Sequence, residues 1–483
     1  MPSTAIVWYR RDLRVHDHPA LAAAVAEHDR VVPLYVLDPR LLHGRYASQR
    51  RIGYMRSALH ALDAELQERG SRLHVREGDP LAIIPALADE VGAQTVFWTS
   101  DVSPFARERD AAMKAALGGR GGRGGRAVRD GAGGSGSRGG TGDTAIGRAR
   151  PMPGNDVVDV SRIATQAGDP YTVFSPFHRT WQQAPRRPLH PAPTSIPTPT
   201  TLDKGRLEPG THDDSAGETH GRAAVDRWLR GPADAYAERH DDLTGGTSQL
   251  SPHLRWGTIS PLALERRAAD AGHDAFTRQL AWRDFYAHVL LNEIGSKRPD
   301  PSWDDDPGDE LLDAWRAGQT GYPLVDAGMR QLNETGWMHN RARLVVGSFL
   351  TKDLHLDWRL GEVHFARELI DGELAQNNGN WRWIASVGVD PAPPARRMFN
   401  PTLQQRTFDP DGVYVRRWVP ELERVPDDKL AEPWTLTDDE QRAAGCVIGR
   451  DYPAPIVDHA VERRRAIELY ARSSATRSCW APR

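Results

Sequence analysis

In the first hundred residues, short apolar runs alternate with helical stretches, and this alternation restricts the fold more than any other feature of the chain. Thr4–Tyr9, Arg30–Leu37, Leu73–Arg76 and Thr95–Trp98 read as strands rich in β-branched and aromatic side chains. Pro19–His28, Ser48–Arg69 and Pro80–Val91 read as helices between them. In the second helix Ile52, Met55, Leu59, Leu62 and Leu66 recur on one face, and Gly70 follows its end. Such alternation predicts a doubly wound parallel sheet. The turn after the first strand is Arg10-Arg11-Asp12-Leu13-Arg14 rather than GxGxxG, which excludes an ordinary NAD domain.

The pattern breaks at Leu117–Ala149, a glycine-rich stretch carrying Arg120, Arg123, Arg126, Arg129, Arg138 and Arg148. It reads as an expanded surface loop, or as an auxiliary nucleic-acid contact. Pro151–Ala167 returns to a structured pattern, Pro185–His212 is an extended Pro/Thr-rich run, and Ala223–Arg472 is mainly helical. The expected organisation is an α/β domain over 1–150 with an insertion at about 118–147, then a linker over 151–222. An all-α domain over 223–472 and a short tail over 473–483 complete it. A chain of 483 residues is long enough for several cores. Its 62 basic and 65 acidic residues sum to −3, which rules out a bulk polycation but not a local basic patch. No apolar run approaches a membrane span, and the charged N-terminus argues against export, so a cytoplasmic protein is expected. Cys446 and Cys479 form neither a disulfide framework nor a zinc site, and no metal is expected. Trp, at 15, outnumbers both Tyr and Phe, which suits either Trp-rich cores or electron transfer.

Four clusters in the helical half carry chemistry. Gly245–Pro252 offers glycines, hydroxyls and a proline ahead of a helix, as a phosphate cradle or an N-cap and turn would. In Gln279–Tyr286, the side chains of Gln279, Trp282, Arg283 and Tyr286 share a helical face, a stacking and phosphate-binding wall or amphipathic core packing. In Gly336–Arg343, Asn340 and Arg343 point the same way, and His339 reads as a packing histidine. Asp371–Trp383 places an Asn/Gly-rich polar turn between two carboxylates and two indoles, with Asp371 the natural ion-pair partner of Arg343.

These blocks, in this order, resemble the photolyase/cryptochrome flavoprotein family, most nearly the class I enzymes that repair cyclobutane pyrimidine dimers. The resemblance runs from VWYRRDLRVHDHPAL through GTSQLSPHLRWGTISP, QLAWRDFY, TGYPLVDAGMRQLNETGWMHNRAR, KDLHLDW and LIDGELAQNNGNWRW to MFNPTLQ, and so covers most of the chain. It implies a U-shaped FAD in the helical domain. Tyr236, Thr247, Ser248, Gln249, Leu250 and Ser251 would hold its phosphates and ribityl chain, with Arg283 approaching the phosphates. Asn340, Arg343, Asp371 and Glu373 would line the flavin, and Asn377 would sit at its N5. The implied reaction is an electron passed under light from reduced, anionic FAD to a flipped-out dimer, whose ring splits before the electron returns. Trp282 and Trp383 match the indoles packed on the dimer, Gln279 and Leu344 its polar and apolar contacts, and Arg239, Arg341, Arg396 and Gln404 the DNA face. Trp381, Trp358 and Trp303 match the photoreduction chain, with Trp315 the alternative for its surface member.

The resemblance also implies an antenna pigment between the domains. Phe105-Ala106 stand where folate binders carry Asn-Glu, which favours an 8-hydroxy-deazaflavin on Asp101 and Arg255, with a flavin or no antenna as the alternatives. Gln279 and Leu344 replace the Glu and Met common in dimer repair, and Pro394-Ala395 replace an aromatic pair. Gln at the first position occurs in the (6-4) branch, but Asn340–Leu344 offers no member of that branch's histidine pair. The expected partner is UV-damaged DNA, met by a monomer without an obligate protein partner. The rival reading is a cryptochrome-type photoreceptor without repair activity, against which the short tail argues.

Overall fold

The computed structural model describes residues 2–118, 148–212, 215–295, 300–301, 309–390 and 392–475. The glycine/arginine insertion from 119 to 147, Trp303 and Cys479 lie outside them.

Five parallel strands form the N-terminal sheet: β1 (Thr4–Tyr9), β2 (Arg30–Leu37), β3 (His74–Glu77), β4 (Thr95–Thr99) and β5 (Ala149–Met152), in the order β3-β2-β1-β4-β5. β1 lies at the centre, with Ile6 opposite both Val32 and Val96. Every residue of β1 is buried because helices cover both faces of the sheet. β5 was not anticipated. It follows the insertion directly and reads Ala-Arg-Pro-Met, with no apolar alternation, and its Pro151 is tolerated because the strand is an edge.

The span 151–222 has two parts. Val157, Val158, Val160, Phe174, Phe177 and Trp181 share a core with Phe276, Leu280 and Phe285 of the helical half. The buried Asp284 carboxylate fastens this segment by accepting the N–H groups of Val157 and Val158 and the Trp181 indole N–H. The later part runs along the sheet domain, where Ile196 N–H donates to the Arg69 carbonyl at 2.8 Å and Val75 N–H to that of Lys204 at 2.7 Å.

The Arg-Arg-Asp-Leu-Arg turn joins the domains. Arg14 is fully buried and donates to the carbonyls of His16, Asp17, Gly154 and Gly257. Leu13 N–H donates to the Trp256 carbonyl at 3.1 Å. Gly257 has φ +64°, and a Cβ there would lie 2.1 Å from the Arg11 carbonyl oxygen, so the close approach needs glycine.

Among the helices of the second half, Asp274–Leu291, Pro323–Thr335, Asn340–Ser348, Trp358–Glu368 and Leu374–Ile384 build the site. A π-helical turn, Phe349–Asp353, continues the third of these. The Asn/Gly run expected as a turn is instead the body of Leu374–Ile384. Its composition signals a turn, but packing decides otherwise: Gly379 lets the helix lie against Tyr286, whose ring a Cβ would meet at 2.2 Å.

Candidate active site

His339 caps the helix Asn340–Ser348, its Nδ1 accepting the Arg341 N–H at 3.1 Å, and burial pulls its imidazole down to about 4. A neutral packing and capping histidine is therefore what the fold uses here. One turn on, Arg343 donates from Nε to the Met338 carbonyl at 2.8 Å and from Nη2 to Asp371 Oδ2 at 2.8 Å. The expected pair forms. The second oxygen, Asp371 Oδ1, is buried without a protein partner.

Around this carboxylate one pocket gathers Asn340, Arg343, Leu344, Glu373, Asn377 and Trp381. Glu373 takes Arg11 Nη2 at 2.6 Å and Arg283 Nη2 at 3.4 Å. Burial alone pushes its carboxyl up, but Arg11, Arg283 and Arg255 outweigh that and hold it below the ordinary range. The two carboxylates are thus each committed to arginine rather than paired for hydrolysis. Asn377 spends its amide N–H on the Glu362 carbonyl at 2.9 Å, which fixes the orientation of the amide between the pocket and the cavity above it.

Trp381 lines the pocket in edge-to-face contact with Phe365 at 5.0 Å. Trp358 stands on the adjoining helix, buried, with the Arg359 guanidinium 4.6 Å from its ring. Gly361 permits this helix to close on Trp381, since a Cβ there would sit 2.1 Å from the indole. Trp315, the alternative surface donor, is wholly buried and itself 6.3 Å from Trp381.

Near the expected phosphate cradle, Gly246 and Gln249 adopt left-handed conformations and Ser251 Oγ accepts the Trp337 indole N–H at 3.2 Å, which joins the first cluster to the third. Thr247, Ser248 and Gln249 stay at least partly exposed, while Leu250 is buried. The Tyr236 ring packs on Trp228 and Phe276. Arg283 Nη1 donates to the Asn155 carbonyl at 2.6 Å and its Nε is buried without a partner.

The face formed by Gln279, Trp282, Arg283 and Tyr286 grades from exposed Gln279 through half-buried Trp282 to buried Arg283 and Tyr286. Trp383 is half-buried and its indole N–H lacks a protein partner. Arg341 reaches Gln404 at 3.3 Å and pairs with Asp241, while Arg239 and Arg396 are exposed.

Between the domains lies a second cavity of about 510 Å³, lined among others by Asp101, Phe105, Ala106 and Arg255. Burial raises the Asp101 carboxyl, yet Arg11 and Arg10 hold it well below the usual carboxylate range. Burial, with Arg11 and Arg51, pulls Arg255 down to about 9, and its Nη1 is buried without a partner. Sequence reasoning missed Arg11, which spans the two sites by touching Asp101 at 3.4 Å and Glu373 at 2.6 Å. The arginine pair after the first strand was its only signal.

Two family models match the chain: residues 5–124 fit "DNA photolyase" and residues 276–472 "FAD binding domain of DNA photolyase". A deoxyribodipyrimidine photo-lyase of Streptomyces griseus is 39% identical, across 96% of this chain and 98% of its own. The crystal structure of a class III photolyase from Agrobacterium tumefaciens is similar with a TM-score of 0.86 at 34% identity, covering 98% of each chain. A cryptochrome from Synechocystis gives 0.82 at 29%, covering 97% of this chain and 99% of that one. The chain belongs to the photolyase/cryptochrome family of flavoproteins and carries the FAD-binding domain of a DNA photolyase. Among the described residues, no helix is long and apolar enough to cross a membrane.

The donor set fits FAD. The orphaned carboxylate oxygen on Asp371, which lines the pocket, suits a ring N–H or a hydroxyl.

Proposed function

We propose that this chain repairs cyclobutane pyrimidine dimers in DNA under light. The observation that carries the reading is the shared pocket: Arg343, Asp371 and Asn377 for the flavin, Trp381 as electron source and Leu344 for the lesion line a single cavity. When bound, reduced anionic FAD supplies the light-excited electron. The protein's own residues hold, orient and exclude water. Asp371 and Arg343 fix each other, so that one carboxylate oxygen presents to the ring system without reorganising. Trp381 is placed to give up an electron, with Trp358 on the next helix to refill it. Trp282 and Trp383 supply stacking faces for a flipped lesion, and exposed Gln279 can donate to a thymine carbonyl. Arg239, Arg341, Arg396 and Gln404 are read as the DNA face. Asp101 and Arg255 in the interdomain cavity are read as contacts for an 8-hydroxy-deazaflavin antenna.

The test is an absorption spectrum of the purified protein before and after blue light, with an oligonucleotide containing one dimer. Flavin bands together with regained thymine absorbance support repair. Gln279→Glu retains or raises the yield, and (6-4) products stay unrepaired. Intact flavin photochemistry with no loss of dimers overturns the reading in favour of a cryptochrome-type photoreceptor.

A further inference from the structure

The two indoles assigned to the lesion stand on different cores. Trp282 packs with the group containing Val157, Phe177 and Phe285, whereas Trp383 packs with that containing Trp315, Phe349 and Trp418. Each indole has a covered rear face. Phe174 lies flat on Trp282, with ring centroids 3.8 Å apart and planes 6° from parallel. The Arg397 guanidinium lies 3.9 Å from the Trp383 ring centroid, and its Nη1 donates to the Trp383 carbonyl at 3.0 Å.

The two backings meet at one residue. Asp390 N–H donates to the Thr172 carbonyl at 2.8 Å, and Asp390 Oδ1 accepts the Phe174 N–H at 3.4 Å. The Asp390 carbonyl accepts Arg397 Nη2, which also lies 3.8 Å from Asp390 Oδ2. Asp390 holds φ 54°, in the left-handed region that non-glycine residues seldom enter and that Asp and Asn tolerate best. Uncommon backbone conformations kept in place by surrounding contacts concentrate where geometry matters for function. The neck of the same loop is closed by fully buried Lys352, whose Nζ donates to the carbonyls of Ile384, at 2.7 Å, and Arg397.

We infer that Asp390 is a positioning residue that sets the spacing of the Trp282 and Trp383 walls, through Phe174 on one side and Arg397 on the other. On this proposal the two walls are held in place for a covalently joined pyrimidine pair rather than for one flipped base. This rests on the lesion-binding reading of the two indoles. A fused pair is thicker than a planar base and cannot slide to fit, so the placing of the walls adds to their stacking chemistry in conferring the preference.

The test uses FAD-loaded protein in the dark, with a labelled duplex carrying one thymine cyclobutane dimer and the same duplex undamaged. Asp390→Ala is expected to lose about tenfold in affinity for the dimer, within the worth of one stacking contact, while FAD per chain and affinity for undamaged duplex stay unchanged. Asp390→Asn keeps a side-chain oxygen for Phe174 and recovers most of the loss. Phe174→Leu leaves Asp390 in place and reproduces the loss, and it decides the matter should Asp390→Ala not fold. Undiminished dimer preference in Asp390→Ala, where Trp282→Ala loses it, overturns the strut and leaves the indole clamp standing. Undiminished preference in Trp282→Ala overturns the clamp and the strut with it. Equal losses on both duplexes, accompanied by loss of FAD, assign Asp390 to folding alone and also overturn the proposal.

Discussion

The pocket around Asp371 and the cavity above it share Gly372, Glu373 and Asn377, yet they are built on opposite plans. In the lower pocket Arg343 meets one carboxylate, Asp371; the arginine stands on the helix Asn340–Ser348 and the aspartate in the turn just ahead of Leu374–Ile384. Among the described residues, the upper cavity is lined by seven arginines against two aspartates and two glutamates, drawn from several segments between Trp8 and Asn377. The lower site is pre-paired and tuned for one occupant. The upper one holds an excess of cations in a low-dielectric space, an arrangement suited to ligands with acidic groups. One site can therefore be dismantled by removing one residue, while the other spreads its hold over many.

The largest effect expected from that contrast is on Asp371→Ala. Breaking a buried pair by removing one partner costs about 3–5 kcal/mol, less here because part of Arg343 reaches solvent, and where that cost falls on the FAD-bound state the affinity should drop by up to ~100-fold. FAD per chain after gel filtration measures it, and full retention would break the comparison. Next is Trp381→Phe, which keeps a ring in the pocket but removes the proposed first electron source. Light-driven reduction of the oxidised flavin should stop, while repair by chemically reduced protein continues. Photoreduction at the wild-type rate would refute the assignment of Trp381.

How much of this was visible in the sequence follows the same contrast. The pocket was legible in part: spacing groups Asn340 with Arg343, Asp371 through Trp383 lie in one stretch, and charge pairs Arg343 with Asp371, whereas the place of Leu344 and the flavin-lining roles came from the family resemblance. Arg11 was not, since its partners Asp101 and Glu373 are 90 and 362 residues away and only the tertiary fold unites them. The sheet was legible in its four apolar strands and illegible in β5, an edge strand without alternation. The Asn/Gly run deceived because propensity favoured a turn, whereas contact with Tyr286 rewards a helix. Phe174 carried no local mark at all, and its importance lies in where Trp282 stands.

A smaller effect is expected in the turn after the central strand β1. Asp12 is fully buried, which alone raises its carboxyl, but the His18 ring at 2.9 Å, the Arg10 N–H and the Thr99 hydroxyl outweigh burial and hold it at about 2. Its folded value lies below its ordinary 3.8, so its contribution is complete above about pH 4 and is lost as pH falls towards 2. That contribution is of order 2 kcal/mol. Acid unfolding followed by circular dichroism should lose this slope in Asp12→Asn, and an unchanged profile would count against the network. The smallest effect is expected from Asp101→Asn, which should lower retention of a second pigment while FAD per chain stays constant. A matching loss of FAD would show that Arg11 couples the two sites more tightly than their separate linings suggest.

Arg14 carries a consequence for synthesis. One of its acceptors, the Gly257 carbonyl, is 243 residues further along the chain. A ribosome adding about 5–20 residues per second needs roughly 10–50 s to produce that partner. During that interval a nascent sheet domain lacks this acceptor, while the His16, Asp17 and Gly154 carbonyls are already in the chain. Docking of the helical half then supplies it, so the last step in maturing the first domain is written by the second.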